Sequence, residues 1–386
     1  MHSGNEHGQQ QRFVIFIGRH CQIERQFFMT VAATSYSLGA MVDEVLDNTV
    51  SFLPLDDVLT LTTTSSTIRA SLRGASSYWQ HVDLPSANSS ALRRLIPFAT
   101  LIQHLTCRKS TATEEAWIHF ASHTRSLRVL DVSGSKSFTD VALAAFVDCN
   151  TASLVEIHAD NCVYIESIAP LIQCAPRLRT LSLNRCRQLV SADMTALLCN
   201  TRSLGILNLK GLPKVDPVAI ITTTVSSCPD LKVLALGGSG RFSKDSNMHL
   251  SAAFNQDVTL QLECLDISCS NPFGSRSPLG DDGLLPLLHA APNLKELHLK
   301  GHSNLSRAVL EAVPRGLKAL DLTGCAQLSV SLDALAQLTS LEALVLYACP
   351  NVPDTIVQSL KVANANLTHV DMDDRGARGA EPVGAL

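Results

Sequence analysis

The chain has 386 residues, with 31 Lys and Arg against 35 Asp and Glu, and a formal net charge of −4. This balance lacks the basic footprint of a nucleic-acid-binding protein. Hydrophobic residues make up 46% of the chain, which excludes a disordered protein. The longest apolar runs, such as residues 13–17, are too short for a transmembrane helix or a signal peptide.

The N-terminal part of the chain divides into two segments. Residues 1–40 begin with a polar, glutamine-rich stretch, and we predict that they are poorly ordered. Residues 41–84 show helical apolar spacing that Pro54 interrupts, with Asp56 placed to cap a second helix. A third short helix is predicted around Ile68, followed by an exposed Tyr78-Trp79 pair. Three short helices bury too little apolar surface to stand alone, which indicates an interaction module.

The 57 leucines are arranged as a repeat rather than scattered. The pattern apolar-x-x-apolar-x-apolar recurs at intervals of 23 to 32 residues. It begins at Ile102, Leu127, Leu154, Leu178, Leu204, Leu231, Leu262, Leu294, Leu317, Leu341 and Leu367. Counting each of these residues as position one, positions four and six alternate in the manner of a short strand with one buried face.

Two further columns keep the same register. Position nine holds Cys162, Cys186, Cys325 and Cys349, or a small serine such as Ser135. Position twelve is apolar at Phe138, Ile165, Leu189, Val215, Phe242, Phe273, Leu305, Leu328 and Val352. A small thiol fits where a strand turns into a loop, so we interpret these cysteines as structural.

After position twelve the spacing becomes helical, as in Val141, Ala144, Ala145 and Phe146. A strand–helix unit cannot bury its apolar face alone. Stacked units share a continuous leucine core, and their parallel strands line a concave face.

These columns resemble the cysteine-containing leucine-rich repeat, including the Thr139-Asp140 pair that follows position twelve. The resemblance covers residues 98–373 in about eleven repeats and leaves residues 374–386 as a tail predicted to be disordered. It implies an α/β fold, a right-handed α/β horseshoe solenoid, preceded by a small all-helical module.

The preceding segment, residues 41–84, resembles an F-box. The run Asp43-Glu44-Val45-Leu46 matches its acidic–apolar opening, while Met41-Val42 replaces the usual Leu-Pro and a polar run at residues 62–66 replaces the usual Val-Cys-basic stretch. The resemblance implies docking on a Skp adaptor through a set of mainly apolar residues. They are Val45, Leu46, Val50, Leu53, Pro54, Leu55, Val58, Leu59, Ile68 and Trp79.

Positions three, five and seven of each repeat are predicted to face the concave side, which is the expected docking surface for a substrate protein. The polar residues there are Asp131, Glu156, His158, Asp160, Ser182, Asn184, Asn208, Lys210, Asp266, Glu296, His298, Lys300, Asp321, Tyr347 and Asp371. Their acidic bias favours a partner with basic segments.

The sequence offers little for catalysis, metal binding or cofactor binding. The 12 cysteines contain no C-x-x-C pair, no nucleophile motif is present, and the glycines at 237–240 lack the Lys-Ser/Thr of a phosphate-binding loop. We therefore expect no metal, no cofactor and no enzymatic step in this chain. With reduced cysteines and no secretory signal, we expect a cytoplasmic or nuclear protein with no membrane or nucleic-acid partner.

Two functions fit these observations, and a third fits less well. The first is a substrate-receptor subunit of an SCF-type cullin–RING ubiquitin ligase, with a Skp adaptor and a cullin as partners. The second is an interaction scaffold without a ligase, which the departures at residues 41–42 and 62–66 favour. The third, a repeat protein that activates small GTPases, is disfavoured by the irregular repeat spacing.

Overall fold

A computed structural model of the chain describes residues 55–64, 69–70, 72, 76–243, 245–254, 258–271, 279–328, 334–335, 337–352 and 354–372. The predictions for residues 1–40 and 374–386 lie outside the described residues. None of the described helices is long and apolar enough to cross a membrane.

Twelve short strands form one parallel sheet in the described part of the chain, and sequence neighbours are sheet neighbours throughout. The strands are β1 (His81–Asp83), β2 (His104–Thr106), β3 (Val129–Asp131), β4 (Glu156–His158), β5 (Thr180–Ser182), β6 (Ile206–Asn208), β7 (Val233–Ala235), β8 (Cys264–Asp266), β9 (Glu296–His298), β10 (Ala319–Asp321), β11 (Ala343–Val345) and β12 (His369–Asp371). Each strand occupies positions three to five of a repeat, so position-four residues such as Leu105, Leu130 and Ile157 align and are buried. This confirms the predicted leucine-rich-repeat solenoid.

Helices or turns return the chain from one strand to the next. They are α1 (Leu55–Thr64), α2 (Ser76–Trp79), α3 (Ser89–Leu95), α4 (Glu114–Ala121), α5 (Asp140–Asn150), α6 (Ser191–Leu198), α7 (Pro217–Ser227), α8 (Ser246–Ala253), α9 (Asp281–Ala290), α10 (Arg307–Ala312) and α11 (Asp354–Ala363), with 3-10 turns at Ile96–Phe98, Ala169–Gln173 and Ala175–Arg177. Pro176 follows the first of the last two turns, and its missing N–H prevents that turn from continuing as an α-helix.

Side-chain caps start several of these helices. The Thr113 and Thr139 hydroxyls accept the N–H groups of Ala116 and Ala142, three residues on, at the beginning of α4 and α5. The predicted helix is present as α5, whose buried apolar face includes Leu143 and Phe146, whereas Val141 is 55% exposed.

The turn after each strand has a recurring backbone conformation. At position eight the backbone has a positive φ in most coils. Five glycines supply it at 134, 211, 238, 301 and 324, while Lys109, Asn161, Arg185 and Ala348 adopt it at φ 54 to 61.

In seven of the described coils the side chain at position nine hydrogen-bonds the position-six backbone carbonyl of the preceding coil. The thiol of Cys162 donates to the carbonyl of Val132 at 3.3 Å, and that of Cys186 donates to the carbonyl of Ala159 at 3.0 Å. Both carbonyls belong to position six of the preceding coil. These cysteines are fully buried, which confirms their structural interpretation.

The repeats begin earlier than residue 98. Strand β1 pairs with β2 in the common register, which makes Trp79 position one of an additional first coil. Its indole is fully buried, stacks on Phe98 at 3.8 Å between ring centroids, and donates Nε1–H to the carbonyl of Leu72 at 2.7 Å. The predicted exposure of Trp79 is therefore wrong, because its ring fills the core of the first coil.

Candidate functional site

The structure brings the predicted concave-face residues together on one surface. In β3 to β6 the position-five residues Asp131, His158, Ser182 and Asn208 are in register. The same register continues from Asp266 in β8 to Asp371 in β12. This surface, formed by positions three, five and seven, is called the concave face below.

Burial separates these residues into three groups. Asp131, Ser182, Asp266 and Asp321 are buried although they line the concave face. Lys210 is exposed. The remaining predicted residues are half-buried, namely Glu156, His158, Asp160, Asn184, Asn208, Glu296, His298, Lys300, Tyr347 and Asp371.

The buried carboxylates stabilise the turns after their own strands. Asp131 accepts the backbone N–H of Ser133 at 3.0 Å and pairs with Nε of Arg108 at 2.6 Å. Asp321 accepts the Thr323 N–H at 3.1 Å and pairs with Nζ of Lys300 at 3.0 Å. Each of these carboxylates is therefore neutralised by a neighbouring cation within the protein and hydrogen-bonded to the backbone of its own turn.

Asp266 is paired across a longer distance. Its Oδ2 lies 3.0 Å from Nζ of Lys210, two coils away, and its Oδ1 accepts the Ser268 N–H at 3.1 Å. Burial raises the pKa of Asp266, but the positive charge of Lys210, the proximity of His298 and the Ser268 N–H outweigh it and hold that pKa below its usual value. Asp266 is therefore an ionised structural carboxylate.

A hydrogen-bonded chain links the middle coils. Asp160 accepts the hydroxyl of Ser182 at 2.7 Å and the backbone N–H of Asn184 at 2.8 Å. The amide oxygen of Asn184 in turn accepts the Lys210 N–H at 2.8 Å. These bonds hold the position-seven side chains of Asp160 and Asn184 in fixed places, so this part of the concave face is a preorganised surface.

The N-terminal end of the concave face carries a histidine pair that the sequence reasoning missed. The rings of His81 and His104 stack with centroids 4.3 Å apart. Burial, followed by the nearby His81 and Arg128, lowers the pKa of His104. His104 occupies position three of the coil that begins at Ile102, and extending the register by one coil places His81 at the same position.

The predicted adaptor-binding residues are only partly described. Val45, Leu46, Val50, Leu53, Pro54 and Ile68 lie outside the described residues. Leu55 is half-buried against the core, and Val58 and Leu59 are fully buried in α1, which packs against α3. Together with Trp79, these side chains join the helical segment to the first coil, and burial leaves Val58, Leu59 and Trp79 inaccessible to an adaptor in this arrangement.

The sequence and the structure were each compared with those of known proteins. No family profile matches the chain, and no curated protein matches its sequence. The structure is similar to that in the crystal structure of the yeast Rad7–Elc1 complex, at 18% identity, a TM-score of 0.51 and coverage of 87% of each chain.

Two bacterial structures are more distantly similar. LegL7 from Legionella pneumophila is 17% identical with a TM-score of 0.38, over 71% of this chain and 90% of that one. An internalin from Listeria monocytogenes is 12% identical with a TM-score of 0.45, over 78% and 89%. The likeness to Rad7 shows a shared leucine-rich-repeat fold.

Proposed function

We propose that this chain is the substrate-receptor subunit of an SCF-type cullin–RING ubiquitin ligase. In this proposal the F-box-like segment docks the Skp adaptor, and the concave face holds a substrate protein. The chain supplies no covalent step and accelerates ubiquitin transfer by proximity alone. Such a role is exercised in the cytoplasm or nucleus.

The observation that carries the proposal is the packed junction between the helical segment and the first coil. Val58 and Leu59 are fully buried, and the Trp79 indole bonds the Leu72 carbonyl. A helical segment packed in this way holds a bound substrate at a defined place relative to the adaptor, which a proximity mechanism requires. Rad7, which has the same fold, was crystallised in a complex with a second protein, Elc1, and this supports assembly with a partner.

The same junction also gives the best argument for a second function, a scaffold without a ligase. Burial of Val58, Leu59 and Trp79 removes three of the apolar side chains that were expected to contact the adaptor. If the rest of the segment does not bind an adaptor, the concave face alone defines the activity, and the chain is an interaction protein.

Affinity capture of the full-length tagged chain distinguishes the two functions. The informative variant is Leu53→Asp, because Leu59→Asp would place a charge in the buried junction and unfold it. Asp57→Asn, at an exposed position of α1, is the control. Recovery of Skp adaptor and cullin with the unmutated chain and the control, but not with Leu53→Asp, is expected; no recovery with any of the three would leave the scaffold function.

A further inference from the structure

The turns that follow the strands concentrate positive charge along one edge of the solenoid. In the coils of β1 to β11, positions eight to twelve contain no Asp or Glu, although the whole chain has 35 of them. The same positions contain six lysines and arginines. They are Lys109, Lys136, Arg185, Arg187, Lys214 and Arg241, called the basic edge below.

All six cations are exposed. Among the described residues none of them forms an ion pair, and Lys214 bonds only the neutral Gln188 amide, at 2.7 Å. The cations at position two, before the strands, behave differently, since Glu263 bridges Lys232 and Lys295, and Glu342 pairs with Lys318. Three position-two cations are thus neutralised, although Arg128 and Arg179 at the same position form no ion pair among the described residues, whereas none of the six cations of the basic edge is neutralised.

The backbone and the neighbouring glycines accommodate the long basic side chains. Lys109 and Arg185 stand at the left-handed position eight, with φ 54 and 61, where other coils use glycine. In the following coil, Gly134 and Gly211 leave the space in which these side chains lie; a Cβ there would be 3.1 Å from Lys109 Cγ or 3.2 Å from Arg185 Cγ. The basic stems are thus packed along the edge with their heads in solvent.

An exposed aromatic ring interrupts the row. Tyr164, at position eleven of the β4 coil, is 59% exposed, and it follows the coil of Lys136 and precedes the coil of Arg185 and Arg187. An amphipathic ring between cations offers a flat contact for the backbone or an apolar side chain of a bound peptide.

We infer that the basic edge binds an extended, Asp/Glu-rich segment of the protein held by the solenoid. The edge runs from the β2 coil to the β7 coil, five strand spacings or about 24 Å, which matches about seven residues of extended peptide. This deepens the proposed function by naming the chemistry of the docked protein, and it rests on that function for the presence of such a partner.

The shape of the edge favours a peptide over a wider polyanion. On one side lie the concave-face carboxylates Glu156 and Asp160, and on the other lie the first-turn acids of the helices, such as Glu114 and Asp140. A nucleic acid or a lipid surface would press its phosphates over these carboxylates as well. A single extended strand fits the narrow basic row between them.

The test is fluorescence anisotropy of the full-length chain with a labelled peptide of alternating Asp and Glu, against the same peptide with Asn and Gln. We expect the acidic peptide alone to bind, and binding to weaken by about tenfold or more in Arg185→Glu/Arg187→Glu. Arg202→Glu/Arg315→Glu changes the net charge equally at exposed sites outside the edge and should bind as the unmutated chain does.

Equal weakening in both double variants would overturn the inference, as would tighter binding of single-stranded DNA of the same charge than of the peptide. The outcome is separable from that of the ligase proposal. The Arg185→Glu/Arg187→Glu variant should still capture the Skp adaptor. If the unmutated chain captures no adaptor, the ligase proposal fails, but the anisotropy titration still measures peptide binding to the basic edge.

Discussion

Lys210 and Asp266 form an ion pair at 3.0 Å across an intervening coil. Gly237 lies in the intervening coil, at position seven like Lys210, whereas Asp266 is at position five of its own coil. A Cβ on Gly237 would lie 2.6 Å from Oδ2 of Asp266, inside van der Waals contact. The absence of a side chain at Gly237 is therefore what lets the lysine reach a carboxylate two coils away.

Gly237→Ala is accordingly expected to displace the Asp266 carboxylate, weaken its pairing with Lys210, and destabilise the protein by about 1–3 kcal/mol. The measurement is the midpoint of urea unfolding. Gly316→Ala is the matched control because a Cβ added there would have no atom within 4 Å, and it should be neutral or slightly stabilising. Equal effects of the two substitutions would show that the steric argument for Gly237 is wrong.

His302 takes the place of cysteine at position nine of its coil. Its Nε2 donates to the Ile267 carbonyl at 2.9 Å, and its Nδ1 accepts the Leu279 N–H at 2.9 Å, which fixes the neutral tautomer. Burial lowers the pKa of His302 to about 4, with only partial opposition from the Ile267 carbonyl and Asp266.

This gives a prediction for the pH dependence of stability. Above pH 6.5 the imidazole is neutral in both the folded and the unfolded chain. As pH falls from 6.5 towards about 4, only the unfolded chain gains the proton, so stability is lost, by up to about 3 kcal/mol. His302→Gln keeps one donor and one acceptor but cannot titrate. Measured by urea unfolding, the unfolding free energy of this variant should fall less between pH 7 and pH 5 than that of the unmutated chain. His289→Gln, at an exposed site, is the control, and its unfolding free energy should fall between pH 7 and pH 5 as much as that of the unmutated chain.

The position-nine thiols give a third, independent prediction. Cys325 is fully buried and donates to the Leu299 carbonyl at 3.3 Å. Cys325→Ala leaves that carbonyl without its donor and should cost about 1–2 kcal/mol in unfolding free energy, whereas Cys325→Ser keeps a donor and should cost less. Cys199→Ala, at an exposed position, should have no measurable effect. A larger loss for serine than for alanine would contradict the hydrogen-bonding role.

The strand columns could be predicted because each depends only on residues a few positions apart. Alternation at positions four and six locates a strand locally, and the position-nine cysteines mark the turn that follows. The first coil escaped this reasoning because it begins with Trp79 rather than a leucine, and an aromatic ring there resembles the end of an F-box as well as the start of a repeat.

The charge arrangement could not be predicted in the same way. Which cation neutralises which carboxylate depends on the stacking of coils, as the pairing of Lys210 with Asp266 through the gap at Gly237 shows. Asp131 and Asp321 were predicted as exposed docking residues, yet both are buried. The basic edge lies outside positions three, five and seven, so the periodicity of the strands alone does not indicate it.

The two tryptophans of the chain offer a last prediction about the junction below the first coil. Both indoles are fully buried, but Trp79 donates Nε1–H to the Leu72 carbonyl at 2.7 Å, while Nε1 of Trp117 has no partner among the described residues. Trp→Phe removes similar volume at either site, so the difference between the variants isolates the hydrogen bond. Trp79→Phe should therefore lower the unfolding free energy by about 1 kcal/mol more than Trp117→Phe, because it removes the donor that bonds the Leu72 carbonyl. Urea unfolding followed by circular dichroism measures both, and an equal or larger loss for Trp117→Phe would show that the bond to Leu72 does not secure the helical segment.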